Sequence, residues 1–300
     1  MSRSRSASSS EARRKRGDIE QTARDYVRAL GGGLLIGLPL LFTQEMWQHG
    51  VELPWWKLLV LLAIASVIVV GYITLSGFRP ERTWLDRVVD AFETMGIAIV
   101  AAFIALLVLG RITLETSARD AAGQVALETI PVAFGVSVAR TQLSGAGDED
   151  EGESQGPRIG PFGRLFVAAG GALLFALNVA PTEEIVLLAT EMMPLLSLVA
   201  MAMTYLFTLA VVFYAEFGGR RHGAPPNGGG PLTTPLGETL AAYAVSLVVS
   251  LGLLWAFGRT DGASAGAIAG QVVVLGVVAS FGAAAGRLLL SSAGDEAGAS

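Results

Sequence analysis

Residues 31–47 read GGGLLIGLPLLFTQEMW, and residues 170–186 read GGALLFALNVAPTEEIV. Aligned without a gap, they pair Gly31 with Gly170, Gly32 with Gly171, Leu34 with Leu173, Leu35 with Leu174, Leu38 with Leu177, Thr43 with Thr182 and Glu45 with Glu184, seven of 17 positions. A second pair of stretches, 121–143 and 268–290, agrees at eight of 23 positions. There Ala122-Gly123-Gln124-Val125 recurs as Ala269-Gly270-Gln271-Val272, Phe134-Gly135 as Phe281-Gly282, Arg140 as Arg287 and Leu143 as Leu290. Between them Glu93-Thr94 recurs as Glu238-Thr239 and Phe78 as Phe217, so that the offsets rise in chain order from 139 to 147. Chance would match about one position in ten in a chain so rich in Leu, Ala, Gly and Val. The stretches therefore read as an internal duplication.

The duplication lies in a chain with no room for a large soluble domain. Its 300 residues are 52% apolar and 16% charged, with a mean hydropathy of +0.55, whereas an ordinary soluble domain carries about a quarter charged residues. A crossing takes about 20 apolar residues. Runs at 28–48, 55–77, 89–110, 121–141, 162–182, 192–216, 236–257 and 264–289 therefore predict an all-α, polytopic membrane helix bundle with eight transmembrane helices. Each unit contains four of them, an even number, so the two halves enter the bilayer in the same direction, as parallel repeats about an axis along its normal. The chain divides into a disordered basic tail (1–24), a first four-helix repeat (25–143), an acidic linker (144–160), a second repeat (161–290) and a disordered tail (291–300).

Basic residues cluster on one side of such a bundle. With the N-terminus inside, 17 of the 21 fall in cytoplasmic segments, leaving Lys57, Arg111, Arg119 and Arg259 outside. Lys and Arg near helix ends favour the cytoplasmic face, so both termini are assigned there. The fourth run contains Gln124, Glu128 and Pro131, yet omitting it would put Arg220 and Arg221 outside, and it is kept as a span.

Composition also narrows the chemistry. The chain has no cysteine and two histidines, His49 and His222, which disfavours thiolate and imidazole metal centres and haem ligation. No Gly-x-Ser-x-Gly or His-Glu-x-x-His pattern is present, and no basic stripe lies on a foldable soluble segment. We expect neither an enzyme nor a cofactor, metal or nucleic-acid binder.

A carboxylate within an apolar helix costs several kcal/mol unless paired or hydrated. Glu45 and Glu184 hold the same repeat position, each two residues after a threonine, and Gln124 and Glu128 share one helix face at a spacing of four. Gln271 mates Gln124, while Leu275 replaces Glu128. If the halves pack about a central axis, Thr43, Glu45, Gln124, Glu128, Thr182, Glu184 and Gln271 would converge on an oxygen-rich cavity suited to a small cation or a proton. At the other face, Glu93 with Arg140 and Glu238 with Arg287 are expected to form structural ion pairs that lock each helical hairpin. These features suggest a secondary transporter or channel for a small cation or proton-coupled solute, with its site between the repeats. The alternative is a non-transporting scaffold or sensor subunit that binds another membrane protein.

The pattern Arg28-Ala29-Leu30-Gly31-Gly32-Gly33 to Glu45-Met46-Trp47, followed by Phe78-Arg79-Pro80 and Asp86-Arg87 to Glu93, resembles a bacterial and archaeal family of polytopic integral membrane proteins of unknown function. The resemblance covers about residues 22–290. It implies about seven crossings in a prokaryotic plasma membrane and, in some genomes, a small neighbouring gene, hence a small membrane protein partner. It supplies no catalytic residue.

Overall fold

Helix follows helix along the chain. The structure is a computed structural model that describes residue 22 and residues 26–75, 83–143, 160–217 and 234–296. Most of the expected tail 1–24, most of the linker 144–160, and residues 218–233 and 297–300 lie outside the described residues. The first half contains α1 (Tyr26–Leu41), α2 (Gln44–Glu52), α3 (Trp55–Leu75), α4 (Trp84–Val108) and α5 (Ala118–Leu143). The second contains α6 (Pro161–Leu177), α7 (Glu184–Glu191), α8 (Pro194–Phe217), α9 (Pro235–Ala256) and α10 (Ala265–Glu296).

Local chemistry explains where these helices start and stop. Proline opens α6, α8 and α9, where its missing N–H costs nothing. Thr83 and Asp86 form a reciprocal capping box at the start of α4. The ends of α4 and α9 are alike. Gly110 and Gly258 adopt φ of 67° and 75°, the left-handed conformation that closes a helix. Beyond them the Arg111 N–H reaches the Leu106 carbonyl at 2.9 Å, and the Arg259 N–H reaches that of Leu254 at 2.8 Å. Pro131 sits inside α5 without ending it.

Two of the apolar runs differ from continuous spans. The run 28–48 is broken at Phe42-Thr43, and α2 turns 85° from α1. The run 162–182 stops at Leu177, and a turn of residues 178–183 leads into α7. Six helices are long and apolar enough to cross a membrane, or seven if the bent α1–α2 pair is one span. These six are α3, α4, α5, α8, α9 and α10, and α6 is apolar but shorter. The fourth apolar run is thus a full-length helix despite Gln124, Glu128 and Pro131. At the C-terminal end, α10 continues through residues 291–296, part of the stretch expected to be a tail, because no proline interrupts its Leu, Ser and Ala residues.

Small residues set the packing. In the first half, a side chain on Gly32 would strike Ala139, and one on Gly33 would meet Val136 at 2.6 Å, so α1 and α5 touch backbone to backbone. In the second, Gly171 faces Gly282 and Gly286 in the same close way between α6 and α10. Such contacts let dispersion hold helices together in lipid, where burial of apolar surface drives little association. One apolar cluster joins α1, α3, α4 and α5 through Ala29, Val69, Ala98 and Val136. A larger one runs from Leu58 and Phe134 into Ala172, Leu254 and Leu275, tying the halves together.

Candidate functional site

The break after α1 exposes carbonyls that a continuous helix would use. Nearby groups of the chain accept that role. The Thr43 hydroxyl donates to the Pro39 carbonyl at 2.5 Å, the Thr43 N–H to Leu40 at 2.9 Å, and the Trp47 indole N–H to Leu41 at 2.9 Å. After α6 the Asn178 amide donates to Leu174 at 2.8 Å and the Thr182 hydroxyl to Val179 at 2.9 Å. The matched threonines are therefore helix-end caps, and their oxygens are engaged with their own breaks.

Helix α2 lies across α5 at this level. A side chain on Gly50 would meet the Gln124 Cα at 2.6 Å, and Gly123 abuts the Gly50 carbonyl. One turn deeper on α5 is Glu128, and one turn beyond that Val132 packs on Gly33 and Gly37 of α1. Glu128 thus lies on the face turned to the α1–α2 break. Its residue is 0% exposed, and neither carboxylate oxygen has a hydrogen-bond partner. The Gln124 side-chain oxygen is likewise buried and unpartnered.

The second half has a similar frame with different chemistry. Gln271 is buried with an unpartnered side-chain oxygen, and Leu275 is fully buried where the register calls for the mate of Glu128. Gly270 faces Ala189 of α7 at an ordinary 3.5 Å. Glu184 opens α7 in an exposed position. Glu45 opens α2 in a half-buried position.

The seven polar residues are therefore divided between the halves, four in the first and three in the second. Among the described residues, no hydrogen bond or ion pair joins Thr43, Glu45, Gln124 or Glu128 to Thr182, Glu184 or Gln271. Between the halves lies a small cavity bounded by Ala65, Ile68, Ile130, Phe134, Leu173 and Leu177, all apolar.

At the opposite end, Glu93 accepts from Arg140 at 3.1 Å and from the Tyr26 hydroxyl at 2.8 Å, while Arg140 also reaches the Thr94 hydroxyl at 3.0 Å. Glu238 is held by Arg164 of α6 at 2.6 Å. The Arg287 side chain lies outside the described residues. Both acids thus bond to the first long helix of their own half.

Sequence reasoning missed the cations at the end where the helices break. Lys57 is buried, donates to the Trp255 carbonyl at 3.0 Å and lies over the Trp56 and Trp255 rings. Arg119 donates to Leu53 at 3.0 Å, and Arg111 stacks 4.5 Å from the Trp47 ring. Arg259 donates to the Pro181 carbonyl at 2.5 Å and to Glu183 at 2.7 Å. The available signal was Leu109-Gly110-Arg111 beside Phe257-Gly258-Arg259. In both, the arginine follows a helix-closing glycine and reaches back toward the break region of its own half. Trp47, Trp55, Trp56 and Trp255 gather at this end, as tryptophans do at a membrane–water interface.

Among the described residues, no group of three or more His, Cys, Asp or Glu is placed to hold a metal ion. No curated protein and no solved structure matches the chain. A family described as "Putative integral membrane protein (DUF2391)" matches residues 25–290, in agreement with the apolar helices, and the chain belongs to that family.

Proposed function

We propose that this integral membrane protein is a tandem duplication acting as a secondary transporter or channel for a small cation or a proton-coupled solute. The observation that carries the reading is Glu128, sealed from solvent with both oxygens unpartnered. A carboxylate at such depth costs several kcal/mol without a counterpart, and a proton or a small cation supplies one. Gln124, one turn toward the α2 side, offers a second oxygen on the same face. The site thus sits inside the first half, beneath α2, rather than between the repeats.

Paired contacts support the duplication. Gly32 against Ala139 corresponds to Gly171 against Gly286, and Gly50 against Gly123 to Ala189 against Gly270. Both halves run as long helix, break, short helix and three long helices. Burial along α4 and α9 pairs Thr94 with Ala242, Ala98 with Ser246 and Leu106 with Leu254. That register sets Glu238 against Asp90 rather than Glu93. Counting each broken pair as one span gives eight crossings, and the bias of basic residues places both termini in the cytoplasm of a prokaryotic cell.

The apolar cavity between the halves favours a second reading, a scaffold or sensor subunit for a small membrane protein partner. The two separate in sealed vesicles loaded with a pH-sensitive dye and challenged with proton, sodium or potassium gradients. The transport reading expects flux that Glu128→Gln abolishes. Flux that Glu128→Gln leaves intact, or none with any ion, overturns it.

A further inference from the structure

The two halves meet through one asymmetric contact. On the first-half side, Ile68 and Phe134 lie 3.2 Å from where a side chain on Gly170 would begin, Gly71 takes the Phe166 ring, and Lys57 donates to the Trp255 carbonyl. The α6 surface of Phe166, Gly170, Leu174 and Leu177 is thereby covered.

The duplication supplies a second copy of each side, and among the described residues both are bare. Ile68 and Phe134 are each 8% exposed, whereas their counterparts Phe207 and Phe281 are 48% and 40% exposed. Leu177 is 1% exposed and its counterpart Leu38 40%. Gly31, the counterpart of Gly170, has nothing within 4 Å of a would-be side chain. Val27 and Leu35, which correspond to Phe166 and Leu174, are also exposed. Phe207 and Phe281 already stack edge to face at 4.6 Å, presenting as a unit what Ile68 and Phe134 present internally.

We infer that a second copy of this chain docks its α1 face, centred on Gly31, onto the Phe207–Phe281 face of the first. The argument is continuity with the interface inside the chain: the same two surfaces, used once within it, remain available at either end. The contact is head to tail. Because parallel halves keep one direction through the bilayer, repetition is a rotation about its normal, which makes a ring of copies where that rotation closes. The inference rests on the duplication and is independent of the transport reading.

The absence of cysteine gives a clean background for cross-linking the full-length protein in lipid nanodiscs and in proteoliposomes. Ile68→Cys with Gly170→Cys in one chain reports the internal contact and is expected, on treatment with a mild thiol oxidant, to lose its two free thiols to a disulfide while staying a single chain. Chains carrying Gly31→Cys, mixed with chains carrying Phe207→Cys, are expected to form a covalent dimer that neither gives alone. Native mass spectrometry of the unmodified protein from nanodiscs should show two or more copies. Gly31→Leu, which meets nothing within its own chain, should lower the mixed cross-link by about tenfold or more with thermal unfolding of the single chain unchanged.

A formed 68–170 bond with no 31–207 bond and a single-copy mass means that lipid alone covers these faces, and overturns the proposal while sparing the duplication. Like-with-like bonds at 31 or at 207 in place of the mixed bond overturn it as well. Failure of both pairs removes the template and the proposal together.

Discussion

Beneath α2, the first half buries Gln124 and a carboxyl group. Beneath α7, the second half buries Gln271 and a leucine. The frames are alike: a long helix stops, a threonine caps it, a short helix crosses the N-terminal part of a glycine-containing helix, and an arginine from the α4 or α9 end reaches back. The contents differ by one ionisable side chain and by closeness. Gly50 and Gly123 touch backbone to backbone, whereas Ala189 and Gly270 keep ordinary contact. The comparison teaches that the frame itself needs no acid. Leu275 fills its place with no polar cost, so Glu128 is a departure from the apolar solution, and such departures gather at functional sites.

Exchanging the two side chains tests this most severely. Leu275→Glu is expected to destabilise the protein by about 2.5–3.5 kcal/mol. Glu128→Leu should leave stability unchanged or raise it, since an unpartnered buried acid gives way to an apolar side chain. Thermal unfolding in detergent micelles reads both, and equal losses would erase the distinction between the pockets.

The glycines offer a finer comparison. Gly123→Ala drives a methyl into the Gly50 carbonyl and should cost about 1–3 kcal/mol. Gly270→Ala finds space and should change stability by less than about 1 kcal/mol, in the favourable direction. A large loss at Gly270 would mean that α7 lies as close to α10 as α2 does to α5.

Much of this architecture was legible in the chain. Apolar runs long enough to cross a bilayer, separated by Gly-, Pro- and charge-rich segments, specify membrane helices because lipid leaves the backbone few alternatives. Glu128 stood out for the same reason, an acid in a run that needs none. The breaks were less readable: Thr43 and Thr182 donate their hydroxyl protons to carbonyls at helix ends, which hydropathy could not foretell because it reports burial and not direction. The site's location was also hidden. Whether Glu128 faces its own half or the other depends on the rotation of α5 about its axis, which Gly32, Gly33 and Gly50 set by admitting α1 and α2 so closely.

By itself, the sequence determined that the protein is an apolar, all-helical, membrane-embedded chain with one conspicuous acid inside an apolar run, because length, hydropathy and residue identity are local quantities. Only the tertiary structure decided that the first and fifth runs break, that the seven polar residues are divided between the halves, and that the cavity between the halves is lined by apolar side chains. These depend on which small residues meet across helices far apart in the chain, and close packing is a property of pairs.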